Sequence, residues 1–139
     1  MTVFIDSNIL VAGVIPGEGR HKDARRILAA VAAESPFTSD HALVEAWHII
    51  HTRAGYFHAS RFWFGIRETP LSIECVTAID LERAESIARD WRDQEFDMVD
   101  CTSFAVMERM GCSRAATFDR DFAVYRFGAQ RTKAFEILS

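Results

Sequence analysis

Short apolar runs alternate along this chain with longer segments in which apolar residues recur every three or four positions. The first run, Val3-Phe4-Ile5, is apolar on both faces, as in a central parallel strand, and lies in a strand predicted from Thr2 to Asp6. Strands alternating with helices favour an α/β fold with a doubly wound, mainly parallel sheet. Further extended segments are predicted at Pro36 to Ser39, Leu71 to Val76, Ala115 to Phe118 and, as an edge strand, Phe135 to Leu138.

Helical periodicity is clearest after the turn at residues 16–19. There the apolar residues recur at intervals of three, four, seven and eight, which is the period of an amphipathic helix: Ala24, Ile27, Leu28, Val31 and Ala32. Capping residues and glycines mark both ends of two other predicted helices. The other predicted helices are one capped by Ser39 or Asp40 and ended by Gly55, one over Tyr56 to Thr69, one from about Asp80 to Trp91, and one capped by Asp97 and ended by Gly111.

Size and composition predict one globular domain over residues 1–139. A chain of 139 residues with 49% hydrophobic residues buries one substantial core and is too short for two ordinary domains. No apolar run reaches the ~20 residues of a membrane-spanning helix, and no secretory leader pattern precedes the first strand, so we expect a cytoplasmic location.

The cysteines and the net charge exclude two further classes of protein. Cys75, Cys101 and Cys112 are odd in number, lack CxxC spacing and stand in apolar stretches, so buried thiols are expected rather than disulfides or a zinc site. The net charge of −4 has the wrong sign for a protein that binds nucleic acid through a broad basic surface. Any nucleic acid must therefore be held locally.

Four carboxylates carry the candidate chemistry: Asp6, Glu45, Asp100 and Asp119. Each follows a predicted strand or lies near the start of a predicted helix, and in an open α/β sheet these positions face the same edge. Four such groups about 5 Å apart would repel by roughly 3 kcal/mol per pair at an effective dielectric near 20. Oxygen ligands without His or Cys select Mg²⁺ or Mn²⁺ over Zn²⁺, so the pattern predicts a metal-activated water attacking a phosphodiester.

Each acidic residue also has an ordinary structural explanation. Asp6 can end a strand in a turn, Glu45 can be a solvated helix acid, and Asp100 at the third helical position favours the positive helix end. Asp119 competes with Asp121, since one of the two can instead cap a helix or pair with Arg120. Taken together, the four favour metal binding.

Three other clusters are ambiguous. The histidines at 41, 48 and 51 share one helix but lack further zinc ligands, so a zinc pair is disfavoured. The aromatic cluster of Phe57, Phe62, Trp63 and Phe64 favours core or a partner surface over base stacking. A set of basic residues forms either an RNA-phosphate patch or an ordinary solvated helix face: Arg20, Lys22, Arg25 and Arg26.

The order and spacing of four segments resemble the PIN-domain proteins, most closely the VapC-type toxins of bacterial toxin-antitoxin pairs. The segments are Asp6-Ser7-Asn8-Ile9-Leu10, Leu43-Val44-Glu45, Phe96-Asp97-Met98-Val99-Asp100 and Thr117-Phe118-Asp119-Arg120-Asp121-Phe122, and the resemblance spans residues 1–128. It implies a three-layer fold, Mg²⁺- or Mn²⁺-dependent endoribonuclease activity, frequent homodimers, and inhibition by a small antitoxin that enters the acidic groove.

The resemblance also implies roles for individual residues. The acidic, metal-binding set would be Asp6, Glu45, Asp100 and Asp119, with Asp121 or Asp97 as an addition. Ser7, Asn8 and Thr117 would orient carboxylates or water.

Three rival functions are weighed against this one. A haloacid-dehalogenase-like phosphatase needs a second Asp two residues after the first, where this chain has Asn8. A receiver domain needs a Lys near the last strands, and Lys133 lies too far along the chain to serve well. A PIN-like module that binds RNA or protein without cutting stays open, because sequence does not fix the alignment of the carboxylates.

Overall fold

The computed structural model describes residues 2–139, and its core is a sheet of five parallel strands in the order β3-β2-β1-β4-β5. The strands are β1 (Val3–Ile5), β2 (Pro36–Ser39), β3 (Ser72–Glu74), β4 (Arg114–Ala116) and β5 (Glu136–Leu138). The α-helices within residues 2–139 are α1 (Ser7–Val14), α2 (His21–Val31), α3 (Asp40–Ala54), α4 (Tyr56–Ile66), α5 (Ala78–Asp90), α6 (Met98–Met110) and α7 (Asp121–Val124). The predicted α/β class with a doubly wound parallel sheet is confirmed.

The strand order reverses beside β1. From β1 the chain builds outward through β2 to β3, then crosses back by α5 and α6 to place β4 on the other side of β1. In open parallel sheets a crevice forms beyond the carboxyl ends of the strands at such a reversal. Asp6 follows β1 and Thr117 follows β4, so the topology places both at this crevice.

Two hydrophobic cores cover the two faces of the sheet. Alternate side chains of a strand point to opposite faces, so Val3 and Ile5 pack with α1 to α4 whereas Phe4 packs with α5, α6 and α7. All three are fully buried, which explains why β1 is apolar without alternation. The result is a layer of helices on each side of the sheet.

Helix ends follow the capping residues. The Ser39 side chain accepts from the backbone N–H of Ala42 at the start of α3, and the Asp97 side chain accepts from that of Val99 at the start of α6. Gly111 ends α6 in the left-handed conformation with a φ of 65°, which glycine adopts without a steric penalty.

Three sequence-based expectations need correction. Helices α1 and α7 and a short 3₁₀ turn over Ala129–Arg131 were not predicted. Helix α7 and the turn are too short to show a period, and α1 is buried on most sides, so it has no distinct apolar face. The strand at 71–76 is shorter than predicted and occupies an edge of the sheet. Cys75 follows this edge strand and is exposed, so its predicted burial is wrong, whereas Cys101 and Cys112 are buried free thiols.

Over residues 2–139, no helix combines the length and apolar character needed to cross a membrane.

Candidate functional site

Asp6 stands between β1 and α1 and is held from two sides. Its Oδ1 accepts a hydrogen bond from the backbone N–H of Ser7 at 2.7 Å, and its Oδ2 accepts from the Thr117 hydroxyl at 2.7 Å. Its own backbone N–H donates to the carbonyl of Ala116. The residue is only 2% exposed, so its carboxylate has a fixed position at the junction of β1 and β4.

Thr117 and Asn8 connect the loop after β4 to the start of α1. The Thr117 hydroxyl, besides donating to Asp6, accepts from the backbone N–H of Asp119 at 2.9 Å. The Asn8 amide donates to Thr117 at 3.4 Å and accepts from the backbone N–H of Phe118 at 3.2 Å. These bonds fix the backbone that presents Asp119 opposite Asp6.

Three carboxylates meet in this crevice. Asp6, Asp100 and Asp119 each offer an oxygen, and the three oxygens lie within 4.8 Å of one another. Asp100 reaches the group from the first turn of α6 and is buried. Across residues 2–139, no Lys or Arg forms an ion pair with any of the three. The cluster therefore concentrates negative charge without a cationic partner among the described residues.

The pKa values reflect this crowding. Burial, with smaller contributions from Asp119 and Glu45, raises the pKa of Asp6 to about 6 although the hydrogen bonds from Thr117 and Ser7 oppose the change. Burial and the adjacent charge of Asp6, together with a hydrogen bond shared with Asp119, raise the pKa of Asp100 to about 9. Near neutral pH the cluster therefore retains a proton unless a cation replaces it.

Glu45 lies beside the cluster of three rather than within it. It projects from α3, is partly buried, and accepts a hydrogen bond from the Ser7 hydroxyl. Burial, followed by the charges of Asp97 and Asp119, raises its pKa. Ser7 thus links the two acids, because its hydroxyl donates to Glu45 and its backbone N–H donates to Asp6. The role predicted for Glu45 stays a prediction.

Asp97 and Asp121 border the same crevice. Asp97 is exposed and caps α6. The Asp121 backbone N–H donates to the Asp119 carboxylate at 2.9 Å, and burial followed by the charge of Asp119 raises the pKa of its side chain. Both lie close enough to influence the cluster, and neither belongs to the converging three.

The four predicted basic residues have different surroundings, and their contact with RNA stays a prediction. Arg20 lies over the ring of Phe118, its guanidinium carbon 3.8 Å from the ring centroid, beside the acidic crevice. Arg25 lines a separate apolar groove, Arg26 pairs with Asp23 at 3.6 Å, and Lys22 is exposed.

Two residues that sequence reasoning left out, Phe118 and Arg53, line the same cleft as Arg20. Phe118 was detectable in principle as the neighbour of Asp119. Arg53 carries no sequence signal, because only the packing of α3 against the loop before α2 brings it there.

The histidine and aromatic clusters take other places. In the part of the chain that the structure describes, the group able to hold a metal contains no histidine, and His48 and His51 pack around Trp47. On α4, Phe62 is buried, whereas Phe57 and Phe64 are 66% and 71% exposed.

The donor set fits a hard divalent cation. Converging carboxylate oxygens are the ligands such ions take, and no Lys or Arg of residues 2–139 forms an ion pair with these three. The raised pKa values of Asp6 and Asp100 show that protons would occupy the cluster in place of a cation. Hydrogen bonds from Thr117 and Ser7 fix the carboxylate of Asp6, as the partners of metal ligands usually do.

Comparison with known proteins gives a consistent result. The family model described as PIN domain matches residues 3–128. The 23S rRNA-specific endonuclease VapC20 of Mycobacterium tuberculosis is 35% identical over 130 residues, which cover 90% of this chain and 95% of the relative. The crystal structure of the same protein, described as a sarcin-ricin loop cleaving toxin, has a TM-score of 0.81 at 33% identity and covers 88% of this chain and 93% of that one.

One further solved structure is similar in fold alone. The VapBC2 structure from Rickettsia felis, bound to a DNA fragment from their promoter, has a TM-score of 0.72 at 12% identity and covers 100% of both chains.

Proposed function

The chain belongs to the PIN-domain family, and from this membership and the geometry of its acidic crevice we propose that it is a metal-dependent endoribonuclease and the toxin of a toxin-antitoxin pair. The observation that carries the proposal is the convergence of Asp6, Asp100 and Asp119 with no Lys or Arg of residues 2–139 paired to them. A purely structural acidic group would be expected to have such a partner.

Within this proposal each side chain has a defined task. Asp6, Asp100 and Asp119 would hold Mg²⁺ or Mn²⁺, which when bound would supply an activated water and neutralise charge on the phosphate. Thr117 and Ser7 keep the carboxylate of Asp6 from rotating. Glu45 adds a fourth acid at the edge of the crevice, oriented by the Ser7 hydroxyl.

The local structure disfavours an aspartyl nucleophile of the phosphatase type. Position 8 is Asn8, whose amide is already bonded to Thr117 and to the backbone of Phe118. It therefore has a positioning task and does not supply the second carboxylate that the phosphatase motif requires.

A structured RNA is the substrate class we favour. The relative that is 35% identical is named as specific for 23S rRNA, and its structure is titled as that of a toxin cleaving the sarcin-ricin loop. We therefore propose that this chain cleaves the equivalent loop of 23S rRNA.

The experiment is a cleavage assay on a synthetic RNA hairpin of that loop. Purified protein with Mg²⁺ or Mn²⁺ is expected to give one main product, EDTA to stop the reaction, and Asp100→Asn to abolish it with the circular dichroism spectrum unchanged. RNA binding without metal-dependent products would instead identify a non-catalytic binding module. Cleavage of other RNAs at similar rates would refute the loop as the preferred substrate.

An antitoxin is the proposed protein partner. A groove of about 690 Å³ runs between α2 and α4, lined by apolar residues that include Leu28, Phe62 and Ile66. The exposed aromatics Phe57 and Phe64 lie on α4 as well. Such a surface suits an amphipathic segment of a partner.

Expression in bacteria tests the toxin role separately from the chemistry. The chain expressed alone is expected to arrest growth, and the small protein encoded beside it to restore growth and to co-purify with it. Absence of toxicity from a protein that cleaves RNA in vitro would refute the toxin role and leave the nuclease intact. Sedimentation of the chain alone tests the predicted homodimer.

A further inference from the structure

A small cleft of about 160 Å³ opens beside the acidic crevice. Its walls include Arg20, Arg53, Asn8 and Phe118, and Ile49 contributes an apolar side chain. Phe118 stands in the chain between Thr117 and Asp119, and consecutive Cα atoms are about 3.8 Å apart. A group bound in this cleft would therefore lie next to a phosphate held at the carboxylates.

Arg20 presents a flat surface in this cleft. Its guanidinium carbon lies 3.8 Å from the centroid of the Phe118 ring, which is stacking distance. Its Nε donates to Asp23 at 3.0 Å, and among the described residues this is the hydrogen bond that the guanidinium makes. The Phe118 ring and the Asp23 carboxylate hold the guanidinium in place, and with the side chain 51% exposed it stays accessible to a ligand.

The charges around the cleft disfavour a simple phosphate site. Arg53 is paired with Glu18, and Arg20 shares Asp23 with Arg26, so each of the two arginines already has an acidic partner. A planar guanidinium backed by an aromatic ring retains its capacity to stack on a nucleobase even when its charge is balanced. The occupant that this chemistry favours is a base rather than a phosphate.

We propose that the outer face of Arg20, supported by Phe118, stacks on the base of a nucleotide flanking the cleaved phosphodiester and so sets the register of the RNA. This inference rests on the proposed ribonuclease function and adds to it a substrate-positioning residue. Base stacking on such platforms is sequence-tolerant but requires an unpaired base. The platform thus favours cleavage in loops over cleavage in duplexes.

Steady-state cleavage of the RNA hairpin tests the platform with a matched control. Arg89 is also an exposed arginine paired with a carboxylate on its helix, and it lies on α5 away from the cleft. Arg20→Ala is expected to raise KM about tenfold with kcat changed less than about twofold, and Arg89→Ala to match the wild type. Arg20→Lys is expected to resemble Arg20→Ala, because lysine keeps the charge and loses the plane.

Two outcomes of that assay would overturn the inference. An unchanged KM in Arg20→Ala would show that the platform is unused. Full rescue by Arg20→Lys would identify a contact between charge and phosphate instead of stacking.

Abasic substitution in the RNA identifies the base directly. In a set of hairpins, each carries one abasic nucleotide at a different position flanking the cut. The rates at which the wild type and Arg20→Ala cleave each hairpin are compared. The increase in KM caused by Arg20→Ala is expected to vanish for the hairpin that is abasic at one position, because the base that stacks on Arg20 is already missing there. A penalty that persists at every position would refute the stacking.

Binding in EDTA separates failure of the inference from failure of the proposed function. Fluorescence anisotropy of the labelled hairpin is expected to show about tenfold weaker binding by Arg20→Ala than by Arg89→Ala. If the wild type cleaves no RNA but this difference remains, the nuclease proposal fails and the platform stands. If the wild type cleaves and the two variants bind equally, the platform fails alone.

Discussion

Asp6 and Asp80 are two carboxylates with the same burial and opposite surroundings. Each is 2% exposed, and each accepts backbone and side-chain hydrogen bonds near the start of a helix. Asp80 additionally receives both Nε and Nη2 of Arg109 at 2.9 Å. Asp6 instead faces Asp100 and Asp119.

The difference appears in the direction of the pKa. Burial raises the pKa of both groups, but for Asp80 the hydrogen bonds from Arg109 and Thr77 outweigh burial and the net change is downward. For Asp6 burial prevails, and its pKa rises to about 6. Burial alone therefore does not identify a functional acid, whereas burial without a cationic partner favours one.

The largest expected difference between the two regions is in catalysis. Asp6→Asn is expected to lower kcat/KM for RNA cleavage by about 10³ or more, because it removes a ligand at the reacting centre. Asp80→Asn, assayed well below its unfolding temperature, is expected to stay within about threefold of the wild type. Equal losses in the two variants would indicate that both act through the fold.

The effects on stability are expected in the reverse order, with a larger loss in the Asp80 variant than in a variant of the acidic crevice. Asp80→Asn leaves Arg109 without its buried partner and is expected to lower the free energy of unfolding by about 2 to 4 kcal/mol in urea denaturation. Without metal, folding must keep Asp100 protonated at neutral pH, and Asp100→Asn removes this cost, so in EDTA its stability is expected to be unchanged or higher. A strongly destabilised Asp100→Asn would contradict the repulsion inferred for the cluster.

The pH dependence of stability in the metal-free protein follows from the directions of the same pKa changes. The pKa of Asp6 rises to about 6 and that of Asp100 to about 9 in the folded state, so the unfolded chain releases these protons at lower pH than the folded chain does. In EDTA the free energy of unfolding is therefore expected to fall by roughly 5 kcal/mol as pH rises from 5 to 8, most of it from Asp100. Asp100→Asn should flatten this profile.

Asp80 contributes with the opposite sign. Its lowered pKa supplies stability above the ordinary value for Asp, and that stability is lost as pH falls below it. The Asp80→Asn variant should accordingly lose less stability than the wild type between pH 5 and pH 3.

For the acidic crevice, a wild-type free energy of unfolding that rises from pH 5 to pH 8 in EDTA would contradict the raised pKa values of Asp6 and Asp100.

The smallest expected effect lies at the exposed side of the Arg109 cluster. Glu74 also pairs with Arg109, but the two side chains are 34% and 35% exposed. Glu74→Gln is expected to cost less than about 1 kcal/mol, because solvent screens this pair. A cost equal to that of Asp80→Asn would show that exposure does not separate the two partners of Arg109.

Local signals explain how much of the fold was predictable from sequence. The strand at Val3–Ile5 and the helix at His21–Val31 follow from hydrophobic pattern, and Asp97 with Gly111 marks α6 at both ends. Helix α7 has four residues, and its Phe122 packs against the ring of Phe4 from far along the chain. That contact is tertiary, so no local pattern in the sequence could predict it.

The site divides in the same way. The convergence of Asp6, Asp100 and Asp119 follows from their places at the ends of strands and the starts of helices once a parallel sheet is assumed. Arg20 and Phe118 pack together although they lie 98 positions apart in the sequence (118 − 20), and no spacing rule predicts a contact at such a separation. The Asp80 and Arg109 pair is equally invisible in the sequence.

Calorimetric titration of Mn²⁺ into the metal-free protein at pH 7, in two buffers of different ionisation enthalpy, tests the central claim most directly. Saturable binding with net proton release is expected, because a proton held by Asp100 must leave when a cation takes its place. The account predicts that Asp100→Asn removes this binding and Asp80→Asn preserves it. No saturable binding by the wild type, or equal binding by Asp100→Asn, would contradict the claim that the acidic crevice is a metal site.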